Sequence, residues 1–181
     1  MVESRYPCDG EGRAYLGEVP SCPEGFLVES LARGLLQAFD VKGPPVPVRD
    51  MIRAPHPVFE RLSLLEISLG LYDAVYRSLL NGSRLIAVDV DHPLAVQRCA
   101  MARELYVAFC CSRRAVELDW PDRDDPRRQC DFFARCLLMP ADWVRQVAAT
   151  VDSLPELAAV FGVLPEMMNR RVHELGVEVA T

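Results

Sequence analysis

The run RLIAVDV at residues 84–90 is the feature that most restricts the fold. It is apolar and β-branched, it stops at His92-Pro93, and it gives way over residues 93–112 to apolar positions at helical spacing. Leu94, Met101, Leu105 and Phe109 form one stripe, with Ala95, Ala102 and Tyr106 beside it. Pro93 suits a first helical turn. A strand followed by an amphipathic helix implies that the helix lies on the sheet, because each has an apolar face to cover. A second helix is expected at 126–138, stopping before Met139-Pro140. The charged stretch WPDRDDPRR that begins at Trp120 reads as a solvated turn.

Upstream, Leu62, Leu64, Glu66 and Ser68 alternate with Ser63, Leu65, Ile67 and Leu69, a period-two pattern. Asn81-Gly82 stands between residues 72–80 and 84–90, the two-residue hairpin signal. Leu71, Val75 and Leu79 are four apart, so a helix capped by Asn81-Gly82 would also suit the segment; the hairpin is the reading carried forward. Residues 24–40 carry Phe26, Leu27, Leu31, Leu35 and Phe39 at helical spacing, and Gly43-Pro44-Pro45 ends that helix before a short one at 49–53. Three short helices are expected at the C-terminal end. They span 141–150, 153–161 with Ser153 as N-cap, and 165–175 closed by Gly176.

These elements predict an α+β fold, a small and mostly antiparallel sheet packed on two long helices, with a helical C-terminal subdomain. The expected division is an irregular arm at 1–23, a core at 24–140 and a helical, helix-turn-helix-like part at 141–181. A chain of 181 residues, half of them hydrophobic, is enough for one such core.

The seven cysteines include no CxxC pair, and the first twenty residues resemble no signal peptide. Reduced thiols, a cytoplasmic location and no membrane association are the expectation. The net charge of -6 argues against nucleic-acid binding by the whole surface.

Three pieces in this order, RLIAVDV, MARELYVAF and QCDFFARCLLMP, resemble the ImmA/IrrE family of metallopeptidase-like proteins, which are intracellular and often act on helix-turn-helix repressors. The family pattern is a strand, an Arg a few residues on, a helix with AHELGH, a helix reading roughly EANxFAxxLLMP, and a tail like LAxxFxVSxxxxxxRLxxLG. The matching residues are Arg98, Ala102-Arg103-Glu104-Leu105, Phe133-Ala134, Leu137-Leu138-Met139-Pro140, the run from Leu157 to Val163, Arg171 and Leu175-Gly176. Together they cover about residues 24–178. The resemblance implies a zincin-like core.

In an HExxH helix the two His, four apart, leave one face and grip a zinc ion, and the Glu beside the first takes a proton from the bound water. A Glu on the next helix completes the site. Here the ligand positions hold Arg103, Val107 and Gln129, and Tyr106 stands where the family has a small Gly. Only the base position survives, as Glu104. The resemblance therefore implies a metal-free, catalytically inactive relative with no cofactor. Two readings of Arg103 stand side by side. It points to solvent, or it replaces the metal with a salt-bridge network drawn from Glu104, Asp125 and Asp131. Tyr106 would crowd the same cleft.

Two other functions are weighed against this one. An active zinc peptidase with unorthodox ligands would use thiols such as Cys111 and Cys130, which otherwise read as packed side chains. The C-terminal helices could present Asn169, Arg170 and Arg171 to DNA, but Glu156, Glu166, Glu174 and Glu178 surround them and phosphate-binding charge is scarce. The expectation is a regulatory module with a protein partner, of which a helix-turn-helix regulator is the candidate class, and with DNA binding disfavoured.

Overall fold

The computed structural model describes residues 24–121 and 123–179, so the arm expected at 1–23 lies outside the described residues. The run at 84–90 becomes β3, Arg84–Asp89, and takes the centre of a three-stranded sheet between β1, Leu62–Ile67, and β2, Ala74–Ser78. Central placement suits its composition, for Ile86 and Val88 are fully buried. Strands β2 and β3 form the expected antiparallel hairpin, with Tyr76 opposite Ile86. Leu79 donates to Ser83 and Gly82 to Leu79 across the turn, where Gly82 adopts the positive φ that glycine tolerates.

The sheet is mixed, with one antiparallel and one parallel pair: β1 runs alongside β3 in the same direction, Leu64 beside Ile86. The cause is the 68–73 connection, which crosses the C-terminal end of β3. The Asp89 carboxylate fastens it there by accepting the backbone N–H groups of Leu69 and Gly70, each at 3.0 Å. The chain then descends in β2 and rises again in β3, so β1 and β3 point the same way.

Among the described residues eight α-helices and a 3-10 turn at Pro57–Phe59 accompany the sheet: α1 Glu24–Ala38, α2 Val48–Arg53, α3 Leu94–Cys110, α4 Arg113–Glu117, α5 Arg127–Leu138, α6 Ala141–Ala148, α7 Leu154–Phe161 and α8 Pro165–Leu175. Only α4 had no counterpart in the sequence pattern; at five residues it is too short for a period, and its start is held by Ser112, whose hydroxyl accepts the Ala115 N–H. Helix α3 packs on β2, β3 and α5, and α1 packs on the far side of α5. Met101, Leu105, Tyr106 and Phe109 of α3 meet Phe133, Leu137 and Leu138 of α5 in the core. Each such side chain, fully buried, contributes roughly 1.5–3 kcal/mol.

Side chains from the core fasten the C-terminal helices. Arg98 of α3 donates through Nε to the Gly162 carbonyl at 3.0 Å and through Nη2 to Phe161 at 3.3 Å, so its charge caps the C-terminal end of α7. Gly162 is at φ 62°, and a Cβ there would lie 3.2 Å from the Arg98 Nε, so glycine is needed for both reasons. Arg171 of α8 donates to the Met139 carbonyl at 3.0 Å. Arg135 of α5 reaches Glu174 of α8 at 2.6 Å.

Candidate functional site

Helix α3 packs against β2, β3 and α5, and the side chains it turns toward β2 and α5 decide what the candidate site can do. Cys99, Arg103 and Val107 follow one another at four-residue spacing, so they share one face. Arg103 donates from Nε to a carboxylate oxygen of Asp131 on α5. Both side chains keep about 37% of their surface exposed, so the pair lies at the outer side of the α3–α5 seam and is not sealed in the core. Burial works against the guanidinium charge, but the groups around it, the bonded Asp131 carboxylate among them, outweigh that effect and hold Arg103 more firmly protonated than a free arginine.

Glu104 turns toward the sheet. Its Oε2 accepts the backbone N–H of Tyr76 at 2.8 Å. That N–H points away from β3, because Asp73 and Leu79 bond to the hairpin partner and Tyr76 therefore has the opposite orientation. The carboxylate thus occupies the middle of the sheet edge. Burial raises its pKa to about 7, and the Tyr76 N–H with Arg127, Arg103 and Arg77 offsets this only in part.

The folded protein consequently binds a proton at Glu104 more readily than the unfolded chain, whose value is the ordinary 4.5. Stability carried by this group is greatest at low pH and falls as pH rises from about 4.5 to 7. Glu104→Gln keeps an acceptor for Tyr76 but cannot ionise. Urea unfolding from pH 4.5 to 8 is expected to show a shallower decline for this variant, and an unchanged slope would contradict the assignment.

Other residues expected at the cleft go elsewhere. Tyr106 is fully buried in the core, stacked on Phe133 at 5.0 Å, and its hydroxyl accepts the Trp120 indole N–H at 3.1 Å. It shares the inner face of α3 with Ala102 and Phe109, four residues before it and three after, so it does not crowd the cleft. Asp125 is exposed in the loop before α5, and its backbone carbonyl accepts the Arg128 N–H at 3.4 Å. Val107 packs against the core, and Gln129 is 3% exposed, its side-chain oxygen without a hydrogen-bond partner.

Sequence reasoning missed Tyr76, Arg77, Cys99 and Arg127 as neighbours of this site. Cys99 was detectable, being one turn before Arg103 on the same face; Tyr76 was not, because its contact runs through backbone.

The zinc ion implied by the family motif does not fit these residues. Among the described residues no three His, Cys, Asp or Glu side chains are grouped to hold a metal. Cys111 and Cys130 face different surroundings, the former beside the Tyr76 hydroxyl and the latter beside Arg103. Burial pushes the Cys130 thiol up to about 12, away from the thiolate that zinc requires. His92 is engaged with Asp73 at 3.1 Å, His56 packs on Phe39, and His173 lies on α8. A fixed positive charge sits where the first ligand would be.

Residues 61–173 match the model of the peptidase M78 group, described as the IrrE N-terminal-like domain. Among solved structures the chain is similar to a Mycobacterium tuberculosis transcriptional regulator, with a TM-score of 0.55 at 15% identity, over 81% of this chain and 46% of that one. The chain thus spans less than half the length of that regulator. No curated protein matches it. The matched region runs from the start of β1 into α8 and takes in the whole cleft, and on that match, over more than half its length, the chain belongs to the IrrE N-terminal-like domain family.

Proposed function

We propose that this chain is a catalytically inactive, metal-free member of its family that works by binding another protein. The setting we infer is transcriptional or stress regulation in the cytoplasm, with a helix-turn-helix regulator as the class of partner. The family and the regulator to which the chain is similar fit a regulatory role. The observation that carries the proposal is the Arg103–Asp131 pair, a cation held in the first ligand position by a carboxylate from α5.

Glu104 supports the same reading. A carboxyl group with a pKa near neutrality is what general-base catalysis asks for. Here, however, it is bonded to the Tyr76 N–H, and the ligand positions around it hold Arg103, Val107 and Gln129, none of which suits a zinc ion. Active hydrolysis with unorthodox ligands lacks a converging donor set among the described residues. DNA binding through α8 is disfavoured because Arg171 is 2% exposed and Arg170 lies 3.8 Å from Glu174. No helix among the described residues is long and apolar enough to cross a membrane.

The test is hydrolysis of an unfolded protein substrate such as casein by the full chain in the presence of zinc. The expected rate equals background and does not change in Glu104→Gln. Zinc-dependent cleavage that disappears in Glu104→Gln would sink the proposal.

A further inference from the structure

Alternation along the strands gives the sheet a second face, turned away from α3. Leu65 and Ile67 of β1 present it and keep 40% of their surface exposed, with Val75 of β2 and Leu85 of β3 on the same side. Leu71 at one end and Leu80 at the hairpin tip are more exposed still. Other large apolar side chains are exposed singly, Phe26 and Leu94 among them, but here they share one sheet face, and a grouped apolar face of this kind marks a surface meant to be covered.

The charges at its two ends say what covers it. Arg61 precedes β1 and its Nη1 donates to the Asn81 carbonyl, which puts it at the hairpin end, where Arg77 of β2 also stands across β3. Asp91 lies at the opposite end and accepts from the Ser68 hydroxyl just past β1; Asp73 stands at that end too, 3.1 Å from His92, and Asp89 there is buried. The face is therefore positive at one end and negative at the other, which makes it complementary to itself once turned around.

We propose that a second copy of this chain docks here. The two sheets stack face to face with strands antiparallel, about a two-fold axis that lies in the interface and crosses the strands. In that arrangement β1 lies over β1 and β2 over β2. Arg61 of one copy meets the Ser68 and Asp91 corner of the other, and the symmetry repeats the contact. Parallel stacking would set arginine against arginine and aspartate against aspartate. Leu65 and Ile67 of both copies form the apolar centre. The role is separate from the cleft on the other side of the sheet.

The test is sedimentation equilibrium of the full chain over a concentration series. The natural chain is expected to dimerise, and Ile67→Glu, with an unchanged circular dichroism spectrum, to weaken the dimer by about a hundredfold. Arg61→Glu alone and Asp91→Arg alone each place like charges opposite one another and weaken it by about tenfold. An equimolar mixture of these two variants is expected to regain the natural affinity, because every reversed arginine then faces a reversed aspartate. Arg61 serves for this test because Arg77 lies near Glu104. A natural chain that stays monomeric means that the face is covered by residues 1–23 or by a different protein, and overturns the proposal. A dimer indifferent to Ile67→Glu, or a mixture no tighter than its components, overturns it as well.

Discussion

Glu174→Ala is expected to cost about 3–5 kcal/mol of folding stability. Glu174 and Arg135 approach to 2.6 Å with 7% and 5% of their side-chain surfaces exposed, and Arg171, at 3% exposure, lies 3.3 Å from the same carboxylate. Two buried guanidinium groups thus share one carboxylate. The contact with Arg135 is close but not directed as a hydrogen bond, since Glu174 Oε1 and Arg135 Nε have no bonded partner, so the attraction rests on charge at short range. Removing the carboxylate leaves both cations in a poorly solvated place. Glu29, at 3.8 Å from Arg171, relieves only one of them.

Such a loss is comparable to a large part of the roughly 5–15 kcal/mol that holds a domain folded. It falls on the joint between α5 and α8, so amide exchange in α8 is expected to rise before global unfolding. Arg135→Met combined with Glu174→Met removes charge from both sides and is expected to recover much of the loss, because apolar side chains of similar volume replace buried pairs at little cost. A Glu174→Ala penalty below about 1 kcal/mol, the range of an exposed pair, would contradict this account.

The second large effect is at Tyr106, where Tyr106→Ala is expected to cost about 3–5 kcal/mol in urea unfolding. The ring is fully buried and stacked on Phe133, so truncation opens a cavity between α3 and α5. Tyr106→Phe keeps the ring and deprives the Trp120 N–H of its acceptor, an expected loss of about 1 kcal/mol. If the two substitutions cost the same, the packing account of this residue is wrong. The small residue that the family carries here would leave the Phe133 ring without its stacking partner, so Tyr106 belongs to this chain's own core packing.

Elements whose identity depends on local pattern were legible in the sequence. The run at 84–90, the stripe of α3, the α5 helix ending at Met139-Pro140, and the Ser153 and Gly176 caps all appear as expected. The direction of β1 was not legible, because it is set by the Asp89 carboxylate holding the 68–73 crossing, a contact between residues about twenty apart. At the site, the motif singled out Arg103 and named Asp131 as one of three possible carboxylate partners, with a solvent-facing Arg103 as the equal alternative; the structure pairs it with Asp131. The Glu104–Tyr76 bond did not, because its donor is a backbone N–H 28 residues away and no side-chain type announces it. Asp125 looked as promising as Asp131, but only Asp131 lies within α5 and faces α3; Asp125 stands in the exposed loop before it.

Zinc stoichiometry tests the central claim most directly. Elemental analysis of the full chain, purified without chelator and then dialysed against zinc, is predicted to find no stoichiometric metal, because Arg103 and its Asp131 partner fill the first ligand position. One zinc ion per chain, lost on Cys130→Ser or Cys111→Ser, would contradict the account and restore the reading of a peptidase with unorthodox ligands.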